Sequence, residues 1–248
     1  MGEVIVLCYH AVSPSWSAPL SVTPDALEYQ LRMMLSRGWR PATFADAVLA
    51  PSPKKTFAVT FDDAFASVRD LAYPIMSALE IPGTVFAPTA FMDERQLLRW
   101  PGIDHWQDTP AAGELCSMSW EDLRELLDDG WEVGSHTLTH PRLPRLSDAA
   151  LTYELERSRE QISNRLGLTC RTVAYPYGEA DERVADHARA AGYSAGAVLS
   201  RRLFSLGLHR WPRIGVYHTD RGWRFRLKAS RAWRALRKTP LWPADQPG

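Results

Sequence analysis

The stretch TFAVTFDDAFASVRDLAYPIMSAL, residues 56–79, contains the pattern that decides the fold. It opens with a short run of apolar and β-branched residues, Thr56–Phe61, which is typical of a buried strand. Two aspartates follow, and the spacing of apolar residues over Phe65–Leu79 predicts a helix. A strand, a polar turn and a helix in this order indicate a parallel strand with a crossover helix.

The same alternation recurs along the chain. The predicted strands are Val4–Tyr9, Thr56–Phe61, Gly83–Ala87, Trp131–Ser135, Arg171–Tyr175, Tyr193–Leu199 and Arg213–Val216. The predicted helices are Pro24–Arg37, Phe65–Leu79, Trp120–Asp129, Asp148–Leu166 and Asp181–Ala191. Thr23 and Ser119 are predicted N-caps, and Asp122 completes a capping box with Ser119. Seven strands alternating with helices predict an α/β fold, with Met92–Met118 as an extended loop.

Composition limits the classes of protein that the chain can belong to. A length of 248 residues, 45% hydrophobic, fits one α/β barrel with a substantial core and excludes a disordered chain. The net charge of zero argues against nucleic-acid binding. Three cysteines without a CxxC spacing support neither a disulfide framework nor a thiolate zinc site. The apolar run at the N-terminus is too short for a signal peptide or membrane span, so we expect a cytoplasmic protein.

Two clusters of metal-ligating side chains follow predicted strands. Asp62 and Asp63 come directly after the second strand, and His136 and His140 follow the fourth. Because carboxyl ends of parallel strands meet at one rim of a barrel, the clusters are expected to lie close together. If the chain enters a helical turn there, histidines at i and i+4 face one metal ion, and one carboxylate completes a catalytic site with open positions. A helix cap for one aspartate and an incidental histidine pair are the alternatives.

Two further segments end predicted strands. His10 follows the first strand and is either a structural histidine or the acid that protonates a leaving amine. The segment Ala174–Gly178 is either a plain turn or a site where the Tyr177 N–H stabilises a developing oxyanion.

The sequence resembles the polysaccharide deacetylase (NodB-homology) family of metal-dependent carbohydrate esterases. The motif TFDDA at 60–64 is similar to the family's TFDD motif, SHTLTH at 135–140 to its H-[ST]-x-x-H motif, and AYPYG at 174–178 to its R-x-P-Y motif. The resemblance spans about residues 4 to 216. It implies a single distorted (β/α)7 barrel, residues 1–220, and the removal of N-acetyl groups from amino-sugar units of a polysaccharide, oligosaccharide or lipid-linked glycan.

The resemblance also implies roles for individual residues. Asp62 would be the general base, and Asp63, His136 and His140 would bind a divalent metal, which is usually zinc in this family. The backbone N–H of Tyr177 would hold the oxyanion. Removal of O-acetyl groups, hydrolysis of another C–N bond and a non-catalytic sugar-binding role are the alternatives on the same fold.

The chain departs from the family pattern at two points. Ala174 stands where the third motif has an arginine, and Arg213, with Arg171 second, is the candidate replacement. The family's late L-x-H motif is matched only in letters at Leu206–His209. Some bacterial exopolysaccharide deacetylases of the family supply the acid from an N-terminal YH segment, which Tyr9–His10 resembles, so His10 is the candidate acid.

Residues 221–248 hold eight Lys/Arg and one acidic residue and form a basic amphipathic tail in sequence. Apolar residues with helical spacing are Phe225, Ala229, Ala232, Trp233 and Leu236. A cationic helix with an apolar strip is typical of one lying on an anionic membrane, and residues 221–238 are the candidate surface. A last helix that packs on the barrel would show the same pattern.

Trp100 and Trp106, on the Met92–Met118 loop, are interpreted either as side chains that stack on sugar rings or as local core residues that fill the base of the loop, and His105 as a surface group.

Overall fold

A computed structural model describes residues 2–200, 202–203, 206–239 and 242. The strands are β1 (Val4–Tyr9), β2 (Ala11–Val12), β3 (Ser21–Val22), β4 (Arg40–Ala42), β5 (Thr56–Phe61), β6 (Gly83–Ala87), β7 (Glu132–Ser135), β8 (Thr172–Ala174), β9 (Ala195–Val198), β10 (Trp211–Pro212) and β11 (Ile214–Gly215). The helices are α1 (Pro24–Ser36), α2 (Phe44–Leu49), α3 (Tyr73–Ala78), α4 (Trp120–Asp128), α5 (Asp148–Leu166), α6 (Glu182–Ala190), α7 (Trp223–Lys228) and α8 (Arg231–Arg237).

The main sheet is parallel and nearly closes on itself. Its strand order is β10-β9-β8-β7-β6-β5-β1-β11, and β4 pairs with the start of β5. One residue, Arg213, separates β10 from β11, yet β10 pairs with β9 and β11 pairs with β1. The short segment 211–215 therefore joins the two edges of the sheet. This arrangement confirms the predicted α/β barrel.

The predicted strands are all present, several of them shorter by a residue or two at their ends. Tyr193–Leu199 is shortened most, to Ala195–Val198, and the last strand begins after Arg213, which separates β10 from β11. The sequence did not predict the short strands β2, β3, β4 and β10, nor the short helix α2 that precedes β5. The predicted helix Phe65–Leu79 is present from Ala66 to Ala78, with a π-helical turn over Val68–Ala72 that precedes α3.

The core explains why the strands are rich in apolar residues. All six residues of β5 are buried, as are all five of β6. A strand of a parallel barrel is covered by side chains within and by helices outside, so a continuous apolar run is needed. Outside the sheet, β2 and β3 form a separate parallel pair.

The C-terminal segment packs against the barrel and does not form one amphipathic helix. Ser230 caps α8 and separates it from α7. Phe225 and Ala229 are buried in the core, so the predicted apolar strip faces inward at these positions. Lys228 pairs with Asp220, with 2.6 Å between Nζ and Oδ2. Residues 240–241 and 243–248 of the predicted tail lie outside the described residues.

Candidate metal centre and active site

Strand register brings the candidate residues to one rim of the barrel. Tyr9 of β1 is level with Phe61 of β5, and Ala87 of β6 is level with Ser135 of β7. The residues that follow these strand ends, including His10, Asp62 and His136, therefore emerge side by side. The carboxyl rim is where α/β barrels place their reactive groups.

The turn after β5 separates the two aspartates. Asp63 and Ala64 have φ of 71° and 52°, in the left-handed region, so the chain reverses sharply and both buried carboxylates turn into the site. The helical segment that follows begins at Ala66. Asp62 hydrogen-bonds to Arg213 and Cys8, and no described backbone N–H at the start of this segment donates to either carboxylate. The alternative that one aspartate caps a helix starting near Phe65 is therefore wrong.

Asp63, His136 and His140 form a compact group of three buried side chains, with one ligand atom of each within 4.8 Å of the others. Asp63 Oδ1 lies 3.3 Å from Nε2 of both histidines. Among the described residues, this oxygen has no partner with hydrogen-bond geometry. A buried carboxylate oxygen between two imidazole nitrogens, all aimed at a common point, fits a divalent cation such as Zn²⁺.

The histidine pair does not lie on a helical turn, contrary to the sequence-based assumption. Thr137 and His140 have φ of 69° and 62°, and the chain between them is an irregular turn. Glu154 of α5 holds this turn, because its Oε2 accepts hydrogen bonds from the N–H groups of Leu138 and Thr139, each at 2.9 Å. The turn brings the two imidazole rings to a centroid distance of 4.9 Å.

The backbone also determines the tautomer of His136. Its Nδ1 lies 2.8 Å from the carbonyl oxygen of Ala174. A carbonyl can only accept, so Nδ1 carries the proton and Nε2 presents a lone pair to a metal.

The charges of the site shift the pKa values of both carboxyls. Burial alone would raise the pKa of Asp62, but Arg213 and His136 outweigh this effect and lower it to about 2. Burial would likewise raise the pKa of Asp63, but the adjacent imidazoles of His136 and His140 lower it below the ordinary range. Both carboxyls are therefore ionised at neutral pH.

Arg213 forms a buried, bidentate ion pair with Asp62. Nη1 donates to Oδ1 at 2.6 Å and Nη2 to Oδ2 at 2.7 Å, while Nη1 also donates to the Thr60 hydroxyl at 3.1 Å. Arg213 takes this position because it lies at the interruption between β10 and β11. Arg171, the second candidate, is exposed just before β8. The guanidinium fixes the orientation and the charge of Asp62.

His10 lies beside Asp62, and His209 does not. The ligand atoms of Cys8, His10 and Asp62 are within 4.8 Å of one another, and Cys8 Sγ lies 3.5 Å from Asp62 Oδ2. Burial lowers the pKa of His10 below its ordinary value, although Asp63 and Asp62 act in the opposite direction. His209 precedes β10, and its Nε2 lies 2.9 Å from the Tyr193 carbonyl oxygen.

The site opens into a cleft of about 510 Å³. Its lining includes the candidate residues His10, Asp62, Asp63, His136, His140 and Tyr177. Tyr177 has a left-handed backbone, with φ of 60°, and its hydroxyl donates to the Pro101 carbonyl at 3.1 Å. The Met92–Met118 loop supplies one wall of the cleft, through Trp100, His105 and Trp106.

Several lining residues were not identified from the sequence. Trp16 packs edge-on against Trp106, with ring centroids 5.7 Å apart. Arg142 pairs with Glu179, and its guanidinium lies 4.1 Å from the centre of the Tyr177 ring. Among these residues, Arg142 alone could have been identified from the sequence, because it follows the candidate ligand His140 by two residues. Trp16 and Glu179 line the cleft because they contact Trp106 and Arg142, which are distant in sequence, so no local pattern could have identified them.

Comparison with known protein families identifies the family of the chain. The family model for polysaccharide deacetylase matches residues 50–196. This match covers more than half of the chain, which therefore belongs to the polysaccharide deacetylase family.

Individual relatives are more distant. The poly-beta-1,6-N-acetyl-D-glucosamine N-deacetylase of Staphylococcus aureus strain MSSA476 is 23% identical over 195 residues, which cover 73% of this chain and 62% of that protein. The chain thus spans less than two thirds of the length of this curated relative.

Solved structures share the fold. A Streptococcus pyogenes deacetylase in complex with acetate has a TM-score of 0.77 at 21% identity, covering 92% of this chain and 98% of that one. IcaB from Ammonifex degensii has a TM-score of 0.71 at 24% identity, covering 96% and 97%. These likenesses confirm the expected deacetylase-type barrel.

Across the part of the chain that the structure describes, each helix is too short or too polar to cross a bilayer.

Proposed function

We propose that the protein is a metal-dependent hydrolase that removes N-acetyl groups from amino-sugar units of a polysaccharide, oligosaccharide or lipid-linked glycan. The observation that carries the proposal is the group Asp63, His136 and His140 beside the Asp62–Arg213 pair, at the base of an open cleft. Family membership and the name of the Staphylococcus aureus relative support the same chemistry.

In this proposal Asp63, His136 and His140 hold the cation, and Zn²⁺ suits their donor set. The cation, when bound, polarises the amide carbonyl and acidifies a water molecule. Asp62 accepts the proton of the attacking water, since Arg213 keeps its carboxylate ionised and oriented.

His10 and Tyr177 act on the other parts of the amide. The N–H of Tyr177 donates to the developing oxyanion. His10 protonates the leaving nitrogen, so that the C–N bond breaks to a free amine and acetate.

The test is acetate and amine release by the zinc-loaded protein from N-acetylglucosamine oligosaccharides of β-1,6 and β-1,4 linkage. We expect one equivalent of amine for each acetate, and no release after chelation of the metal. The matched variants are His136→Ala, which should lose zinc and activity, and His105→Ala, a cleft histidine outside the triad that should keep both. Acetate release from O-acetylated sugars alone would favour an esterase, and sugar binding without release would indicate a non-catalytic relative.

We also propose that residues 221–238 contact an anionic membrane surface. This segment has eight Lys/Arg and no acidic residue. Trp223, Leu227 and Leu236 are 69%, 41% and 42% exposed, so the segment presents apolar side chains among its cationic ones. No described carboxylate lies within ion-pair distance of Arg224, Arg226 or Arg231. A location at the inner face of the cytoplasmic membrane remains a prediction, as does the boundary at residue 220.

A further inference from the structure

The two candidate metal-binding histidines are held in different ways. His136 is fixed through its second ring nitrogen, which donates to the Ala174 carbonyl. The second nitrogen of His140, Nδ1, is buried, and no described residue hydrogen-bonds to it. A metal-binding histidine normally has such a partner, which fixes its ring and strengthens its metal bond. The orientation of the His140 ring therefore needs another cause.

Trp100 is packed face to face with the His140 ring. The ring centroids are 4.1 Å apart and the planes differ by 21°. Trp100 is itself buried, with Phe91 edge-on behind it at 5.4 Å, so it has little freedom to turn. The Tyr177 ring lies 4.8 Å from His140 at an angle of 60°. Two aromatic rings thus limit rotation of the imidazole.

The loop that carries Trp100 is tied to the metal site at a second point. The hydroxyl of Tyr177 donates to the carbonyl of Pro101, the residue after Trp100. The same loop supplies Ile103, His105 and Trp106 to the cleft. The wall of the cleft therefore contacts the candidate metal site at two points, through Trp100 on His140 and through Pro101 on Tyr177.

We propose that Trp100 is a positioning residue that raises the metal affinity of the site by stacking on His140, and that metal binding in turn orders the Met92–Met118 loop. The inference rests on the metal site of the proposed function. An imidazole that donates its lone pair to a cation becomes electron-poor, so the electron-rich indole face attracts it more strongly than it attracts the free ring. A contact that is stronger in the bound state increases affinity, and linkage requires that the metal stabilise the contact equally.

The test uses the full chain, stripped of metal with a chelator and titrated with Zn²⁺ against a chromophoric competitor. Trp100→Leu keeps an apolar side chain but removes the stacking face, and we expect it to weaken zinc binding by about 10- to 100-fold, the usual effect of losing an outer partner of a ligand. Trp100→Phe should recover most of the affinity. Trp106→Leu, on the same loop but away from His140, should bind zinc as the unaltered protein does.

Two further measurements separate positioning from general packing. The visible spectrum of bound Co²⁺ should change in Trp100→Leu and not in Trp106→Leu, because only the former alters the ligand geometry. Zinc should slow amide hydrogen exchange over residues 96–106 in the unaltered protein and should do so much less in Trp100→Leu.

Unchanged zinc affinity in a folded Trp100→Leu protein, or an equal loss in Trp106→Leu, would overturn the inference while leaving the metal site intact. If Trp100→Leu does not fold, hydrogen exchange of the unaltered protein decides, and zinc without effect on residues 96–106 overturns the inference. Failure of the unaltered protein to bind zinc would instead remove the metal site and the proposed function with it.

Discussion

Asp62 and Asp63 are neighbours with the same side chain, yet their surroundings give them different chemistry. Asp62 has both oxygens on the Arg213 guanidinium. Asp63 turns one oxygen to two imidazole nitrogens. The left-handed backbone at Asp63 is what points the adjacent side chains to different partners. One carboxylate is therefore suited to orientation by a cation, and the other to metal binding.

This difference predicts that two conservative changes reduce activity but have different effects on metal content. Asp63→Asn should lose the metal and the activity, because it removes the charged ligand of three. Asp62→Asn should keep stoichiometric zinc and lose roughly 10²–10⁴-fold in rate, the usual contribution of a general base. Zinc content by atomic absorption and acetate release check both. Metal loss in Asp62→Asn alone would reverse the two assignments.

His10 is expected to act in its protonated form. Burial lowers the His10 pKa, so the proton is lost, and activity should fall, as pH rises through a range below the ordinary value of 6.5. His10→Ala should remove that limb of the kcat profile without lowering metal content. His209→Ala is the control, because that ring lies before β10 and bonds to the Tyr193 carbonyl. A larger loss in His209→Ala than in His10→Ala would restore the late histidine as the acid.

At the residue scale, sequence reasoning identified side chains that follow strand ends. Asp62, Asp63, His136 and His10 are recognisable because a parallel barrel gathers such positions at one rim. Trp100 and Glu154 were not recognisable as supports of the site. Their contacts with the 136–140 turn depend on how a long loop and a helix pack, which no local spacing encodes.

The elements that build the site end in strained turns. Asp63, Thr137, His140 and Tyr177 all have positive φ although none is glycine. Such conformations cost on the order of 1–3 kcal/mol each and persist only where surrounding contacts enforce them. The hydrogen bonds from the Leu138 and Thr139 N–H groups to Glu154 are contacts of this kind.

The start of helix α4 is fixed by a capping box between Ser119 and Asp122, as the sequence predicted. The Ser119 hydroxyl accepts from the Asp122 N–H at 3.2 Å, and Asp122 Oδ2 accepts from the Ser119 N–H at 2.8 Å. Arg95, on the Met92–Met118 loop, donates to the same carboxylate. Burial would raise the pKa of Asp122, but Arg95 and Ser119 outweigh this effect and lower it from the ordinary 3.8.

A lowered pKa means that the ionised carboxylate stabilises the fold. This contribution is fully present above the ordinary pKa of 3.8 and is lost as pH falls through the lower folded pKa. Asp122→Ala should therefore lower the free energy of unfolding by about 1–2 kcal/mol at pH 7, and by less below pH 4. Urea denaturation of the metal-free protein measures the difference.

Glu121→Ala is the control for this change, because Glu121 is exposed in the same helical turn. It should change the free energy of unfolding by at most about 0.5 kcal/mol. An Asp122→Ala effect that is independent of pH would mean that the carboxylate charge contributes nothing.

Other element boundaries were less accessible to sequence reasoning. β4 has three residues with Pro41 at its centre, which is typical of a loop, and it forms because β5 offers a free edge at its start. The segment 65–79 is helical as its periodicity predicts, but it begins one residue late, because Phe65 forms a β-bridge with Ser117. Long-range pairing thus created β4 and shifted the start of the helical segment by one residue.

At the scale of the whole molecule, the proposed membrane surface lies on helices that are also part of the barrel's packing. Removal of everything after Asp220 would expose the core around Phe225, so point changes are the better test. We expect Trp223→Ser combined with Arg226→Glu to reduce co-sedimentation with phosphatidylglycerol vesicles about tenfold or more, since each basic residue near anionic lipid contributes roughly 1 kcal/mol.

A matched pair on another helix controls for this change. Tyr153 is 59% exposed on α5, and Arg157 lies one turn away, so Tyr153→Ser with Arg157→Glu alters the same chemistry elsewhere. This variant should bind vesicles as the unaltered protein does, and added salt should weaken binding of both. Equal loss in the two variants, or no vesicle binding at low salt, would exclude the proposed surface.

The closure of the barrel at Arg213 has a consequence for biosynthesis. Asp62 is synthesised 151 residues before Arg213, its counter-ion. At the usual rate of translation this separation corresponds to a delay on the order of 10 s. During that interval β1 lacks β11, and its open edge can pair with another nascent chain. A chain interrupted before its last strand would carry every proposed metal ligand but no cation to orient the base. The proposed hydrolytic activity is therefore expected only after the sheet has closed.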